Sequence, residues 1–367
     1  MIYLDNGATS FHKPPEVARA VASAMARCAN PGRGGYGAAM AAAETVYRCR
    51  ETAGAMFDCP PERVVMTSSC THGLNLAIRS LISPGGRVII SGFEHNAVTR
   101  TLHSLRAEIR VAGTRLFDWA ETLEAWEKAL REGADGAVFT HVSNVFGYRL
   151  PAEELATLCR WYGVPFIVDA AQSAGTLPIS LEGWGAAYIA MPGHKGLLGP
   201  QGTGLLLCGE DGVPLLTGGT GNQSLLQEMP AELPERLEAG TLNVPGIAGL
   251  TAGMQWLRRT GTDLLARREA EEAHRCALAL EKLGLRVFYG PHQGGTVSFV
   301  PEGDCEETAR LLADRGIAVR AGLHCAPLAH RSAGTLETGT VRVSYGIDAN
   351  QAQTDGLIRA LTKKTGG

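Results

Sequence analysis

The segment PGHKGLLGPQGTG (192–204) sets Lys195 between a histidine and glycines, in a turn between two apolar runs. Such a lysine is neither a solvated surface residue nor a core residue. An amine nucleophile needs a depressed pKa and a ligand close by, and the glycines permit that approach. A plain surface-loop lysine is the competing reading. RAGLHCAPLAH (320–330) places Cys325 beside His324 and five residues after Arg320, with Arg342 following. A cysteine among cationic groups has its thiolate favoured. Two arginines near it suit a substrate that carries a carboxylate. A buried structural cysteine fits the same spacing, and the other eight are expected to be of that kind.

Two further segments join these. VDAAQ (168–172) ends an apolar, β-branched run in Asp169. A carboxylate there can pair with a protonated pyridine nitrogen and keep the ring an electron sink; a helix cap or a metal ligand would look the same. MTSSCTHG (66–73) passes from strand to helix through small hydroxylated residues. Free N–H groups at a helix start, with the Ser69 and Thr71 hydroxyls, make a phosphate seat. They make an ordinary N-cap equally well, and that is the commoner arrangement.

All of these stand where strands end, so the elements decide whether they meet. Short apolar runs at 64–68, 87–91, 136–143, 164–171, 186–191 and 203–208 predict strands. Helical stretches are expected at 15–29, 38–57, 72–82, 95–107 and 152–162. Alternation of this kind means βαβ units and a mostly parallel sheet covered on both faces. In such sheets the ligand lies outside the carboxyl ends of the strands. The stretch 209–244 reads as loop. A long helical pattern from Pro245 to about 283 follows, then short strands (285–289, 295–300, 317–320, 340–345) and helices (305–315, 349–363) in an α+β arrangement. The expected division is an extended N-terminal segment 1–15 packing on the small domain, a large domain 16–245 and a small C-terminal domain 246–367.

Composition narrows the function classes. The chain has 367 residues, a formal charge of −3 and 45% apolar residues. That suits a large domain plus a smaller one and gives no footprint for nucleic acid or an anionic membrane. No apolar stretch is long enough to span a bilayer, and MIYLDNGATS lacks the basic and hydrophobic regions of a signal peptide. A cytoplasmic location is expected. The nine cysteines are scattered without a C-x-x-C pair, which argues against a zinc ribbon or a dithiol, and no metal site is expected.

Taken in order, the motifs resemble the class V aminotransferase-like pyridoxal-phosphate enzymes. They are most similar to the second type of the cysteine desulfurase and selenocysteine lyase group. The resemblance runs nearly end to end: YLDNGAT (3–9), a T-x-G-x-N loop (Thr71, Gly73, Asn75), EHN (94–96), THVSNVFG (140–147), VDAAQS, GHK, EAGTLN (238–243) and R-x-G-x-HCA before Arg342. It implies fold type I: a large, mostly parallel mixed sheet with a smaller α+β domain. It implies pyridoxal 5'-phosphate held by Lys195 as a Schiff base. His95 would stack on the ring, Asp169 pair with its nitrogen, and Gln172 sit by its phenolic oxygen. Ser69, Cys70, Thr71 and His194 would hold the phosphate, and Thr241 would reach the phosphate of a partner subunit in a homodimer. Asn144 would orient substrate or ring. Arg342, supported by Arg320, would take the substrate carboxylate, and Cys325 would attack the substrate sulfur.

The implied reaction converts L-cysteine to L-alanine and leaves a persulfide on Cys325 for an acceptor protein. Selenocysteine cleavage, or another reaction of the family such as epimerisation or transamination, is the alternative. A non-catalytic scaffold for sulfur-transfer partners is a third reading, against which intact Lys195, Asp169 and Cys325 argue. Two positions depart from the pattern: Pro192 where a serine is usual, and Leu323 where the first histidine of HHC is usual.

Overall fold

Six strands run in one direction through a seven-stranded sheet, and Gly204–Cys208 alone runs against them. The order is Val64–Thr67, Gly204–Cys208, Tyr188–Pro192, Phe166–Asp169, Gly136–Thr140, Arg87–Ser91 and Glu108–Ala112. In this computed structural model residues 1–32, 34–221 and 223–362 are described. Arg33 in the glycine-rich stretch 30–37, Asn222 in the glycine-rich stretch 218–222 and Lys363 at the end of the expected last helix lie outside them.

Four of the central strands, GAVFT, FIVD, YIAMP and GLLLC, are buried at every residue. Helices cover both faces, so no alternation of polar and apolar residues is needed. The edge strand Glu108–Ala112 and the helix Trp119–Arg131 behind it were not expected from the pattern. The edge interleaves Glu108 and Arg110 with Ile109 and Val111, so it lacks the continuous apolar run of its neighbours; charges on an edge also discourage pairing with another chain.

The second sheet has four antiparallel strands in the order Arg320–Gly322, Thr340–Ser344, Thr296–Val300 and Arg286–Phe288. Helices Thr262–Lys282, Cys305–Asp314 and Gln351–Thr362 pack around it. The N-terminal strand Ile2–Tyr3 pairs in parallel with Ile317–Ala318 beside this second sheet. The following residues then reach the large sheet, where the N–H of Ser10 donates to the carbonyl of His194 (3.0 Å).

The helical pattern expected to run unbroken from 245 to 283 is two helices, Val244–Thr260 and Thr262–Lys282. Gly261 separates them at φ +90°, a conformation that suits glycine. Val244–Thr260 packs against Pro15–Arg27 and Gly37–Phe57, on the large layer. Packing therefore changes partners at Gly261 rather than at 245.

Candidate active site

Lys195 follows the buried strand Tyr188–Pro192 in a turn that glycines make possible. A Cβ on Gly193 would stand 2.1 Å from Thr203 Oγ1, and one on Gly196 would stand 2.3 Å from the Ala174 carbonyl. These glycines are thus dictated by protein packing, a requirement distinct from the ligand approach expected of them. Among the described residues Lys195 Nζ has no hydrogen-bond partner. Burial lowers its pKa, and the positive charge of Arg342 adds to this. A free amine is the nucleophilic form.

The carboxyl ends of the strands bring one cradle together around this amine. It is lined by Ser69, Cys70, Thr71, His95, Asn144, Asp169, Gln172, His194 and Lys195, with Pro192 and Thr140 among the rest. Asp169, the last residue of its strand, is buried. Its Oδ1 accepts from the N–H of Ala171 (2.9 Å) and from the Cys70 thiol (3.5 Å). Its Oδ2 has no hydrogen-bond partner among the described residues. Burial, then the Asp169 charge, pushes the Cys70 thiol well up, so Cys70 serves as a neutral donor.

His95 caps the helix Asn96–Ser104 by accepting the N–H of Ala97 on Nδ1 (3.0 Å). That bond leaves the proton of the neutral ring on Nε2. Burial lowers its pKa, with Asp169 opposing. Asn144 donates from Nδ2 to the carbonyl of His324 (2.8 Å), while its Oδ1 is buried without a partner. Gln172 donates to the Gly7 carbonyl (2.9 Å).

Helix Cys70–Leu81 opens onto the cradle. Ser69 is its N-cap, accepting from the N–H of His72 (3.1 Å), so the ordinary capping role is real here. It does not exhaust the site. Thr71 is exposed, and a helix start presents free N–H groups to an anion. The ring of His194 lies against the Thr9 hydroxyl (Nδ1 to Oγ1, 3.0 Å), and burial drives its pKa down to about 4. The ring is therefore neutral near pH 7.

The two arginines converge on Asp5, which sequence reasoning had not singled out. Arg342 is 2% exposed. It donates to Asp5 Oδ1 (2.7 Å) and to the Asn144 carbonyl (2.9 Å), and its Nε has no partner. Arg320, half exposed, pairs with Asp5 Oδ2 at 3.1 Å. Gly7 lies against the guanidinium, since a Cβ there would stand 3.1 Å from its Cζ. The signal for these residues was the YLDNGAT segment itself: an acid and a glycine in an otherwise featureless N-terminus.

Cys325 is exposed, Cys28 is half-buried and the other seven cysteines are buried. Its carbonyl accepts the N–H of Asn96 (2.7 Å), next to His95. With the Asn144–His324 bond this ties the cysteine loop to the rim of the cradle. The two arginines expected beside the thiol are engaged with Asp5, and the neighbouring histidine is not cationic. His324 is buried, its pKa pushed down to about 3 by desolvation and by Arg342, so it is neutral. Thr241 is not brought to the cradle. It is exposed and lines a separate cavity with Asn30, Gly32, Gly219 and Gly221.

Two features match what pyridoxal 5'-phosphate would need: a carboxylate oxygen left free at the base of the cradle, and an amine without a partner. A buried acceptor on Asn144 awaits a donor, and a helix start faces the same space. Among the described residues no cluster of His, Cys, Asp or Glu could hold a metal ion, and no helix is long and apolar enough to cross a membrane.

Comparison with known proteins gives the family and the fold. Residues 2–357 match the family described as Aminotransferase class-V. A probable cysteine desulfurase of Methanothermobacter thermautotrophicus is 30% identical over 94% of this chain and 89% of its own length. One from Pyrococcus abyssi is 30% identical over 99% of this chain and 94% of its own. Among solved structures, an apo cysteine desulfurase from Thermococcus onnurineus superposes with a TM-score of 0.89 at 29% identity, covering 98% of this chain and 93% of that one. The S-sulfonic acid form of an Escherichia coli cysteine desulfurase gives 0.85 at 25% identity, with 98% and 93% covered.

Proposed function

Since the chain belongs to the class-V aminotransferase family and has its type I pyridoxal-phosphate fold, we propose that it is a cysteine desulfurase. It takes sulfur from L-cysteine, releases L-alanine and carries the sulfur as a persulfide on Cys325. The observation that carries this reading is the placement of Cys325. It is the exposed cysteine of the chain, on a loop bonded through the His324 carbonyl to Asn144 of the cradle.

Lys195, Asp169, Asn144, Gln172, His95 and the start of helix Cys70–Leu81 would hold pyridoxal 5'-phosphate. The bound cofactor supplies an electrophilic carbon and a ring that drains charge from the substrate Cα. Asp169 Oδ2 would fix a proton on the ring nitrogen. The Lys195 amine, kept free by burial, would move the proton at Cα. Arg342, already oriented by Asp5 and the Asn144 carbonyl, offers its remaining donors to the substrate carboxylate. The Cys325 thiolate would attack the substrate sulfur, because release of a bare sulfide is poor without an acceptor.

Cysteine turnover by the purified protein tests this. Equal yields of alanine and protein-bound sulfur are expected, with the sulfur on Cys325 by mass spectrometry. Cys325→Ser should keep the cofactor and lose cysteine turnover. Sulfur found on Cys70 or Cys276, with Cys325 unmodified, would refute the assignment. We further propose a homodimer in which Thr241 and the glycine-rich segment 218–222, whose Asn222 lies outside the described residues, serve the partner's cradle. Closed two-fold assembly is the commonest kind, and Thr241 has no role in its own cradle. A fully active, cofactor-saturated monomer in light scattering would exclude it.

A further inference from the structure

Beneath Cys325 lies a buried row of side chains that the reaction above does not use. His324 is 8% exposed, His330 is 0% and Thr335 is 1%. Their contacts are His324 Nε2 to the Arg320 carbonyl (3.2 Å), His324 Nδ1 to His330 Nε2 (3.5 Å) and His330 Nδ1 to Thr335 Oγ1 (2.8 Å).

Only one arrangement of protons satisfies all three contacts with neutral rings. A carbonyl accepts and never donates, so His324 must carry its proton on Nε2. Its Nδ1 is then a lone pair, and His330 Nε2–H must be the donor to it. That leaves His330 Nδ1 as an acceptor, and the Thr335 hydroxyl donates to it at 2.8 Å in preference to the His330 carbonyl, which lies farther off at 3.5 Å. The opposite sense would set two lone pairs against each other, or would need a buried imidazolium, which desolvation opposes. Burial lowers both pKa values, to about 3 at His324 and about 4 at His330.

The chain ends on a strained loop. His324 and Cys325 adopt φ of +50° and +55°, a conformation that costs a residue other than glycine and persists only when surroundings impose it. The surroundings are the Asn144 amide on the His324 carbonyl, the N–H of Asn96 on the Cys325 carbonyl, and the anchored His324 ring.

We infer that Thr335 and His330 are positioning residues: the one-way chain Thr335 to His330 to His324 to the Arg320 carbonyl locks the left-handed turn that presents Cys325. His324 therefore does not serve as the thiol's base. Both of its ring nitrogens are engaged inside the fold, and the thiol is held out by backbone geometry. This rests on the sulfur-carrying role proposed for Cys325, but the chain itself can be tested without it.

The full-length, cofactor-loaded protein with 15N-labelled histidine serves for the test. Long-range proton–nitrogen spectra from pH 5 to 8 should show both rings neutral with the proton on Nε2. An imidazolium at pH 7, or an Nδ1–H form at either position, would overturn the chain. Thr335→Val removes the first donor with little change of shape, and Thr335→Ser keeps it. The valine variant should retain cofactor and KM for cysteine while kcat falls about tenfold, as expected for loss of one buried hydrogen bond that positions the nucleophile. The serine variant should stay within about twofold of the parent. Unchanged kcat in Thr335→Val, or the same loss in both variants, overturns the inference. If the parent turns over no cysteine, the proposed function fails, yet amide exchange in 320–326 still decides: faster in Thr335→Val alone supports the lock, and equal rates in both refute it.

Discussion

The Asp5 carboxylate grips the buried Arg342 guanidinium at 2.7 Å, joining the N-terminal segment to a strand 337 residues later. Asp5 Oδ2 meanwhile holds Arg320, so one carboxylate orders both arginines proposed for substrate. Removing one partner of a buried pair leaves an uncompensated charge, at a cost of about 3–5 kcal/mol. Asp5→Ala should therefore lower the free energy of unfolding by a comparable amount, read as a lower denaturant midpoint at unchanged slope, while Arg320→Ala, whose side chain is half exposed, should cost about 1 kcal/mol or less. Similar losses in the two variants would contradict this ordering.

Lys195→Ala should abolish the visible absorption of the cofactor-loaded protein and the borohydride-trapped adduct. The free amine in the cradle motivates this. Peptide mapping that finds the adduct on another lysine, Lys13 for example, would reassign the role.

Asp169→Asn should retain the Ala171 N–H contact and lose the negative charge offered by Oδ2. A charge-assisted hydrogen bond contributes about 1.5–3 kcal/mol, so cofactor affinity should fall roughly tenfold to a hundredfold. Turnover should fall further, because the ring loses its electron sink. Equilibrium dialysis and single-turnover rates measure the two separately, and unchanged turnover would refute the role of Asp169.

Glu94 gives a pH prediction. It is fully buried, its Oε1 accepts from the Thr140 N–H (2.8 Å) and from the Ser91 hydroxyl, and Oε2 has no partner. Burial raises its pKa to about 8. The unfolded chain releases this proton near the ordinary carboxylate pKa, while the folded chain keeps it. Its contribution is thus fully present below about pH 4.5 and declines as pH rises through about 8. Glu94→Gln should flatten the fall in urea stability between pH 5 and 8. Parallel pH profiles for parent and variant would rule out this source.

The central strands, the lysine turn and the ordered motifs were legible in the sequence because they depend on near neighbours. Apolar, β-branched runs between amphipathic helices leave few options but a covered parallel sheet, and that sheet carries its strand ends, with Asp169, His95 and Lys195, to one edge. The edge strand Glu108–Ala112 escaped notice because its Ile109 and Val111 alternate with Glu108 and Arg110 instead of forming the continuous apolar run of the buried strands. The break at Gly261 was hidden because helix formers continue on both sides, and one positive φ turned the chain from one layer to the other.

What only the tertiary structure decided concerns pairs far apart in the chain. Asp5 with Arg342, Asn144 with His324, and Gly7 against the guanidinium are separated by more than a hundred residues, and no local periodicity encodes them. The protonation of His324 belongs to the same class. Beside Cys325 in the sequence it read as a cationic neighbour of the thiol. Burial and the His330 contact make it a neutral anchor, because desolvation disfavours the charged ring and leaves each nitrogen one partner to satisfy.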